Sequence, residues 1–311
     1  MKRRFLLSIL AIGAVVGLSG CGSDGEPDDG KVRVVATTTM ISDMAQAIIG
    51  DVPNIELVSL MGPGIDPHTY NLPARSIAEL NRADVVLYNG LKLEGRTEEI
   101  YEPLRDKGAV VLAIGSLIPQ QHLILEGEHP DPHVWGNPQT WSEVVEPAAK
   151  AIAEKAPDHA AALETNAKAY VQQLQDLHTW AASRFEELSD DGRVVITSHD
   201  AFNYFGQAYS LEVLAPQGIS TASDPGTADI AATIQLIKER GVKAVFTEAG
   251  VNPAIIERIA ADTGAKIGGK LYSDSLGAAG EMKEGGGETY DVGTYSGMIK
   301  NNVNTIVDAL K

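Results

Sequence analysis

Two copies of one tripeptide, Asp66-Pro67-His68 and Asp131-Pro132-His133, carry the first hint of chemistry in this chain. Each proline fixes its own backbone and pushes the preceding aspartate toward extended conformations, so neither histidine belongs inside a helix. A histidine held on a stiff loop beside an acid suits a metal ligand, because neutral imidazole binds borderline cations and a carboxylate orients the ring. Two such histidines alone fit strand-end turns as well. Further candidates stand at His199, within Ser198-His199-Asp200, and at Asp274, within Ser273-Asp274-Ser275. Glu248 can back a ligand or serve as a spare one, and Asp66 and Asp131 can back their own histidines.

The elements that would position these residues follow from the periodicity. Val32 to Thr37 reads as a strand, Ile41 to Ile49 as a helix and Ile55 to Met61 as a second strand, which together open a βαβ unit. Helices at 74–83 and 97–107 and strands at 84–88 and 109–114 complete a parallel α/β lobe over 31–157. From 158 to 189 there is neither glycine nor proline, and apolar residues recur at Leu163, Ala167, Tyr170, Leu174, Leu177, Ala181, Phe185 and Leu188. That spacing predicts one long linking helix, roughly 45 Å in length. Alternation then resumes over 190–311, with strands at 194–197, 212–215, 244–247 and 266–271 and helices at 201–209, 228–240, 253–263 and 293–310. His68, His199 and Asp274 each follow a strand, where ligands of open parallel sheets collect. The expected architecture is α/β, two lobes with parallel sheets joined by one helix and a cleft between them. The glycine-rich segment 277–291 reads as a loop near the cleft mouth.

Composition narrows the function classes. Formal net charge is −17, so nucleic acid is not an expected partner. Met1-Lys2-Arg3-Arg4 precedes an uncharged run from Phe5 to Leu18, and small residues follow before Cys21, the pattern of a secretion signal over 1–20. Leu18-Ser19-Gly20-Cys21 resembles a lipobox, which makes Cys21 the lipidation site and anchors the chain on the outer face of the cell membrane or in a periplasm, after general secretion. Residues 21–30 read as a flexible tether. Because Cys21 is the only cysteine, the folded part has no thiol for a disulfide, an iron–sulfur cluster or a nucleophile, and any metal site uses nitrogen and oxygen.

Four longer motifs carry a family resemblance: Gly62-Pro63-Gly64-Ile65-Asp66-Pro67-His68-Thr69-Tyr70, Asp131-Pro132-His133-Val134-Trp135, Ser198-His199-Asp200-Ala201-Phe202-Asn203-Tyr204-Phe205 and Leu271-Tyr272-Ser273-Asp274. Across essentially the whole mature chain the sequence resembles the metal-binding proteins of bacterial ABC importers, the TroA-like or cluster A-I solute-binding proteins. The resemblance implies two α/β lobes joined by a long helix and a metal site of His68, His133, His199 and Asp274. It also implies a permease and its ATPase as partners, with the chain acting as a monomer. Gln217-Gly218-Ile219-Ser220-Thr221 adds to the resemblance without assigning a ligand. Two departures bear on the metal. Between the first two histidines there is no long His/Asp/Glu-rich loop of the kind many zinc-specific members carry, since 116–131 holds only His122 and His129. Dedicated manganese members often have Glu where this chain has His199. Three imidazoles and one carboxylate favour Zn²⁺, with Mn²⁺ accessible if geometry and supply select it.

Other histidines read as ordinary. Pro130 and Pro132 prevent a helical alignment of His129 with His133, and His159 and His178 belong to the long helix. Trp135 and Trp141 read as core. A metallohydrolase is the alternative from another class, but catalytic zinc normally keeps one open position, and neither His-Glu-x-x-His nor Gly-x-Ser-x-Gly occurs. A surface adhesin lipoprotein is a third reading.

Overall fold

The computed structural model describes residues 30–189 and 192–311; the signal segment, Cys21 and the tether up to residue 29 lie outside the described residues. The first half builds a four-stranded parallel sheet in the order β2-β1-β3-β4, from β1 (Val32–Ala36), β2 (Ile55–Ser59), β3 (Val85–Tyr88) and β4 (Val110–Ala113). Helices α1 (Thr39–Ile49), α2 (Ala74–Asn81) and the single turn α3 (Glu98–Tyr101) connect them. Alternation along β1 sends Val34 and Ala36 to one core and Val35 to another on the opposite face, as the two-residue period of a strand requires. The helix expected over 97–107 is broken into short 3₁₀ and α turns, and Pro103 lies at the start of the second 3₁₀ piece. A minimal antiparallel pair, β5 (Leu125–Glu126) with β6 (His129–Pro130), leads into the His133 turn. Helices α4 (Pro138–Ser142) and α5 (Val145–Lys155), which the sequence reading passed over, follow that turn.

Helix α6 (Ala160–Phe185) is the long connector. Its 26 residues span about 39 Å, somewhat less than expected, because the first turn is a 3₁₀ segment over Pro157–His159 that carries His159 outside the helix proper. The apolar row from Leu163 to Phe185 is buried, and α6 packs against α1, α4 and α5 of the first half. It also packs on α7 (Asn203–Tyr209) and α10 (Tyr295–Leu310) of the second half. One apolar cluster therefore runs from β1 and α1 through α6 into α10 without interruption.

In the second half β7 (Val194–Ile196) pairs in parallel with β8 (Glu212–Leu214), and β9 (Ala244–Glu248) with β10 (Lys266–Leu271). Helices α8 (Thr227–Arg240) and α9 (Ala254–Thr263) lie between them in sequence, and β7 runs beside β9. The expected loop over 277–291 is an antiparallel hairpin instead, β11 (Met282–Gly285) and β12 (Glu288–Asp291), packed on α10. Gly286 and Gly287 make its turn at φ of 60° and 81°, a pair of left-handed positions that glycine adopts without strain and that a tight hairpin demands. No helix among the described residues is long and apolar enough to cross a membrane.

Candidate metal centre

His68, His133, His199 and Asp274 come together from four separate segments, with one ligating atom from each lying within 4.8 Å of all the others. His68 arrives on the loop after β2, His199 directly after β7 and Asp274 after β10, so the carboxyl ends of the strands collect the donors. His133 starts a 3₁₀ turn, and Asn89 at the end of β3 anchors that turn by donating to the Pro132 carbonyl at 3.0 Å.

The spacing matches coordination. His68 Nε2 lies 3.3 Å from His133 Nε2. Asp274 oxygens lie 3.1 Å from His199 Nε2, 3.4 Å from His133 Nε2 and 3.8 Å from His68 Nε2. A tetrahedral ion with bonds of ~2.0–2.1 Å separates its ligands by roughly 3.3–3.4 Å. All four side chains are at most 5% exposed, and both Asp274 oxygens face imidazole nitrogens. A buried carboxylate is costly unless a positive charge faces it, from a bound cation or from protonated imidazoles.

Behind the ligands the three histidines differ. His133 Nδ1 faces Asp131 Oδ1 at 2.7 Å, and the same oxygen accepts the His133 backbone N–H at 2.9 Å. Asp131 Oδ2 in turn accepts from Asn203 at 3.1 Å. His199 Nδ1 lies 2.7 Å from Glu248 Oε2, while Glu248 Oε1 accepts the backbone N–H groups of Ser198 at 2.6 Å and His199 at 2.9 Å. In each pair the carboxylate favours the tautomer with the proton on Nδ1, which leaves the Nε2 lone pair for an ion. His68 lacks such a backing: Asp66 takes its backbone N–H at 2.9 Å rather than its ring.

Electrostatics follow this division. Burial works against charge on His133, but Asp131 and Asp274 override it and lift the pKa to about 9. His199 is likewise held well above its ordinary value, with Glu248 and Asp274 outweighing desolvation. Burial would raise Asp274, yet the two charged imidazoles hold it well below the usual carboxylate range. His68 moves the other way, to about 4, through burial opposed by Asp274 and reinforced by the neighbouring rings. These shifts favour charge on His133 and His199 opposite an ionised Asp274, and a neutral His68.

Several positioning residues escaped the sequence reading. Trp135, read as core, is indeed buried, but its indole N–H also donates to the Ser273 carbonyl at 2.8 Å and so ties the His133 turn to the Asp274 turn. Tyr204 donates to the Asp131 carbonyl at 3.1 Å, and Tyr295 to the Trp135 carbonyl at 2.6 Å. Asn203 and Tyr204 fall within the Ser198 to Phe205 motif; nothing in the sequence marks Tyr295. The remaining histidines stay apart: His129 is exposed near Lys92, His122 pairs with Glu143, and His178 stacks on Tyr209.

The family described as zinc-uptake complex component A, periplasmic, matches residues 34–309. The manganese-binding lipoprotein MntA of Bacillus subtilis (strain 168) is 38% identical over 320 residues, covering 100% of both chains. The zinc-binding protein TroA of Treponema pallidum (strain Nichols) is 36% identical over 318 residues, covering 100% of this chain and 99% of its own. The solved structure of the periplasmic zinc binding protein TroA from Treponema pallidum superimposes with a TM-score of 0.84 at 35% identity, covering 90% of this chain and 99% of that one. This chain belongs to the ZnuA and TroA family of metal-binding solute-binding proteins, the substrate-binding components of metal ABC importers.

Proposed function

We propose that His68, His133, His199 and Asp274 hold one divalent transition metal as cargo, zinc ahead of manganese. On this reading the protein captures the ion outside the cytoplasm and passes it to an ABC permease and its ATPase. The observation that carries the reading is the convergence of four buried donors within 4.8 Å of one another, two of them backed by carboxylates on the far ring nitrogen. Three nitrogens and one oxygen suit zinc. Both Asp274 oxygens lean inward, toward His133 and His199 respectively, so a fifth donor is at hand for an ion that takes more ligands, which keeps manganese in view. Names among the relatives point to both metals.

The same proposal includes a lipid anchor at Cys21, a monomeric chain, and lobes over 31–157 and 190–311 joined by 158–189. The unbroken core through α6 favours release by local loop shifts over wide hinge opening. Elemental analysis of protein purified without chelator, with zinc and manganese in competition, tests the site. One equivalent of metal is expected, and His133→Ala should lose it; a parent protein that retains no metal refutes the reading.

A further inference from the structure

We propose that Thr221 is a clasp that holds the His68 arm closed over the bound metal and so sets how fast the metal leaves; this rests on the function proposed above. The two Asp-Pro-His turns share their inner geometry, since Asp66 and Asp131 each accept the backbone N–H of their own histidine through Oδ1 at 2.9 Å. Each also reaches the second half through Oδ2, Asp131 to Asn203 and Asp66 to Thr221.

What surrounds those contacts differs. The His133 turn is locked by Trp135, Tyr204 and Tyr295, all buried, and by its own ring against Asp131. Among the described residues, the His68 loop has two side-chain hydrogen bonds to the second half. Gly64 N donates to Ser275 Oγ at 3.0 Å, and Thr221 Oγ1 donates to Asp66 Oδ2 at 2.6 Å. Among the described residues no carboxylate backs the His68 ring, and Ile65 on the same loop is 41% exposed. Of the two histidine arms in the first half, this one can open without disturbing the buried core.

Thr221 is also joined to the far side of the site. Gln217 bridges to His199 in a parallel backbone pairing, and its side chain donates to the Ser223 carbonyl at 2.7 Å, which braces the segment bearing Thr221. The hydroxyl thus links the His199 segment directly to the His68 loop. Its acceptor is a carboxylate, which makes it the stronger kind of hydrogen bond. Thr69 also donates to that oxygen, at 3.0 Å, but from within the same loop, so it cannot hold the two halves together.

The test is stopped-flow transfer of zinc from loaded protein to excess chromogenic chelator, alongside the rate of zinc uptake. Thr221→Val should release zinc about tenfold faster, the loss of one charge-assisted hydrogen bond, with uptake within about twofold of the parent. Thr221→Ser should restore slow release, and Thr221→Ala should repeat the valine result. Melting of the metal-free valine and alanine proteins should fall by no more than about 5 °C, the cost of one hydrogen bond. Release at the parental rate in both the Val and Ala variants overturns the clasp, as does failure of serine to restore it. Slower uptake in proportion to faster release also overturns it, because the substitution would then have damaged the site itself. A parent protein that takes up no zinc would instead overturn the proposed function.

Discussion

Replacing Glu248 by glutamine keeps shape and removes one acceptor, and the structure says what that costs. Glu248 uses Oε1 for two backbone N–H groups, at 2.6 and 2.9 Å, and Oε2 for the His199 ring at 2.7 Å. Glutamine has one oxygen for both tasks. If it stays on the backbone, its NH₂ faces His199 Nδ1 and favours the tautomer with the proton on Nε2, the nitrogen 3.1 Å from Asp274 that must offer its lone pair to an ion. If the amide flips, two backbone N–H groups in a buried site lose their acceptor, at ~1–3 kcal/mol each. The tautomer route is the cheaper, and weakening of about 10- to 100-fold in metal affinity is expected, or roughly 1.4–2.7 kcal/mol. Titration of zinc against a competing chelator measures it, with melting of the metal-free protein as a check on folding. An affinity within threefold of the parent would refute the claim that Glu248 fixes the ring. So would an unchanged proton release on binding, because the lost charge should let the His199 pKa fall.

Because His133 is lifted to about 9 and His199 well above its ordinary value, zinc must displace protons at neutral pH. Calorimetry in buffers of different ionisation enthalpy should find at least one proton released at pH 7, and affinity should climb about tenfold per pH unit for each proton until about pH 9; zero release would contradict the assignment. Glu94 is fully buried, and desolvation lifts its pKa to about 7 despite hydrogen bonds from Asn89, Gly90 and Thr37. The folded state therefore binds a proton that the unfolded state has shed, so stability falls as pH rises from about 4.5 through 7, by up to about 3 kcal/mol. Chemical denaturation of the metal-free protein should show this slope, and Glu94→Gln should flatten it. Gly250 sits at φ 84°, and a Cβ there would lie 3.1 Å from the Gly64 carbonyl. Gly250→Ala should cost about 1–2 kcal/mol in urea denaturation and weaken metal binding by displacing the His68 loop.

Most of the fold is visible along the chain, because period-two and helical apolar patterns are local properties. The row from Leu163 to Phe185 marked α6 within a few residues. The β11–β12 hairpin was not visible: Met282, Lys283, Glu284, Glu288 and Thr289 do not alternate in a strand pattern, and the pairing is stabilised by packing against α10. The same division holds at the site. Two prolines and their neighbouring aspartates determine, by sequence alone, that His68 and His133 sit on stiff Asx-type turns, since each aspartate bonds a backbone N–H only two residues away. Tertiary structure decided everything that distinguishes them. Asp131 is sealed among Asn203, Tyr204 and the His133 imidazole and fixes that ring. The second oxygen of Asp66 is taken by Thr69 and Thr221, which leaves the His68 ring without a carboxylate behind it. Nor could the sequence join Glu248 to His199. That contact exists because β7 and β9 lie side by side, and a strand neighbour 49 residues away is set by packing, not by local spacing.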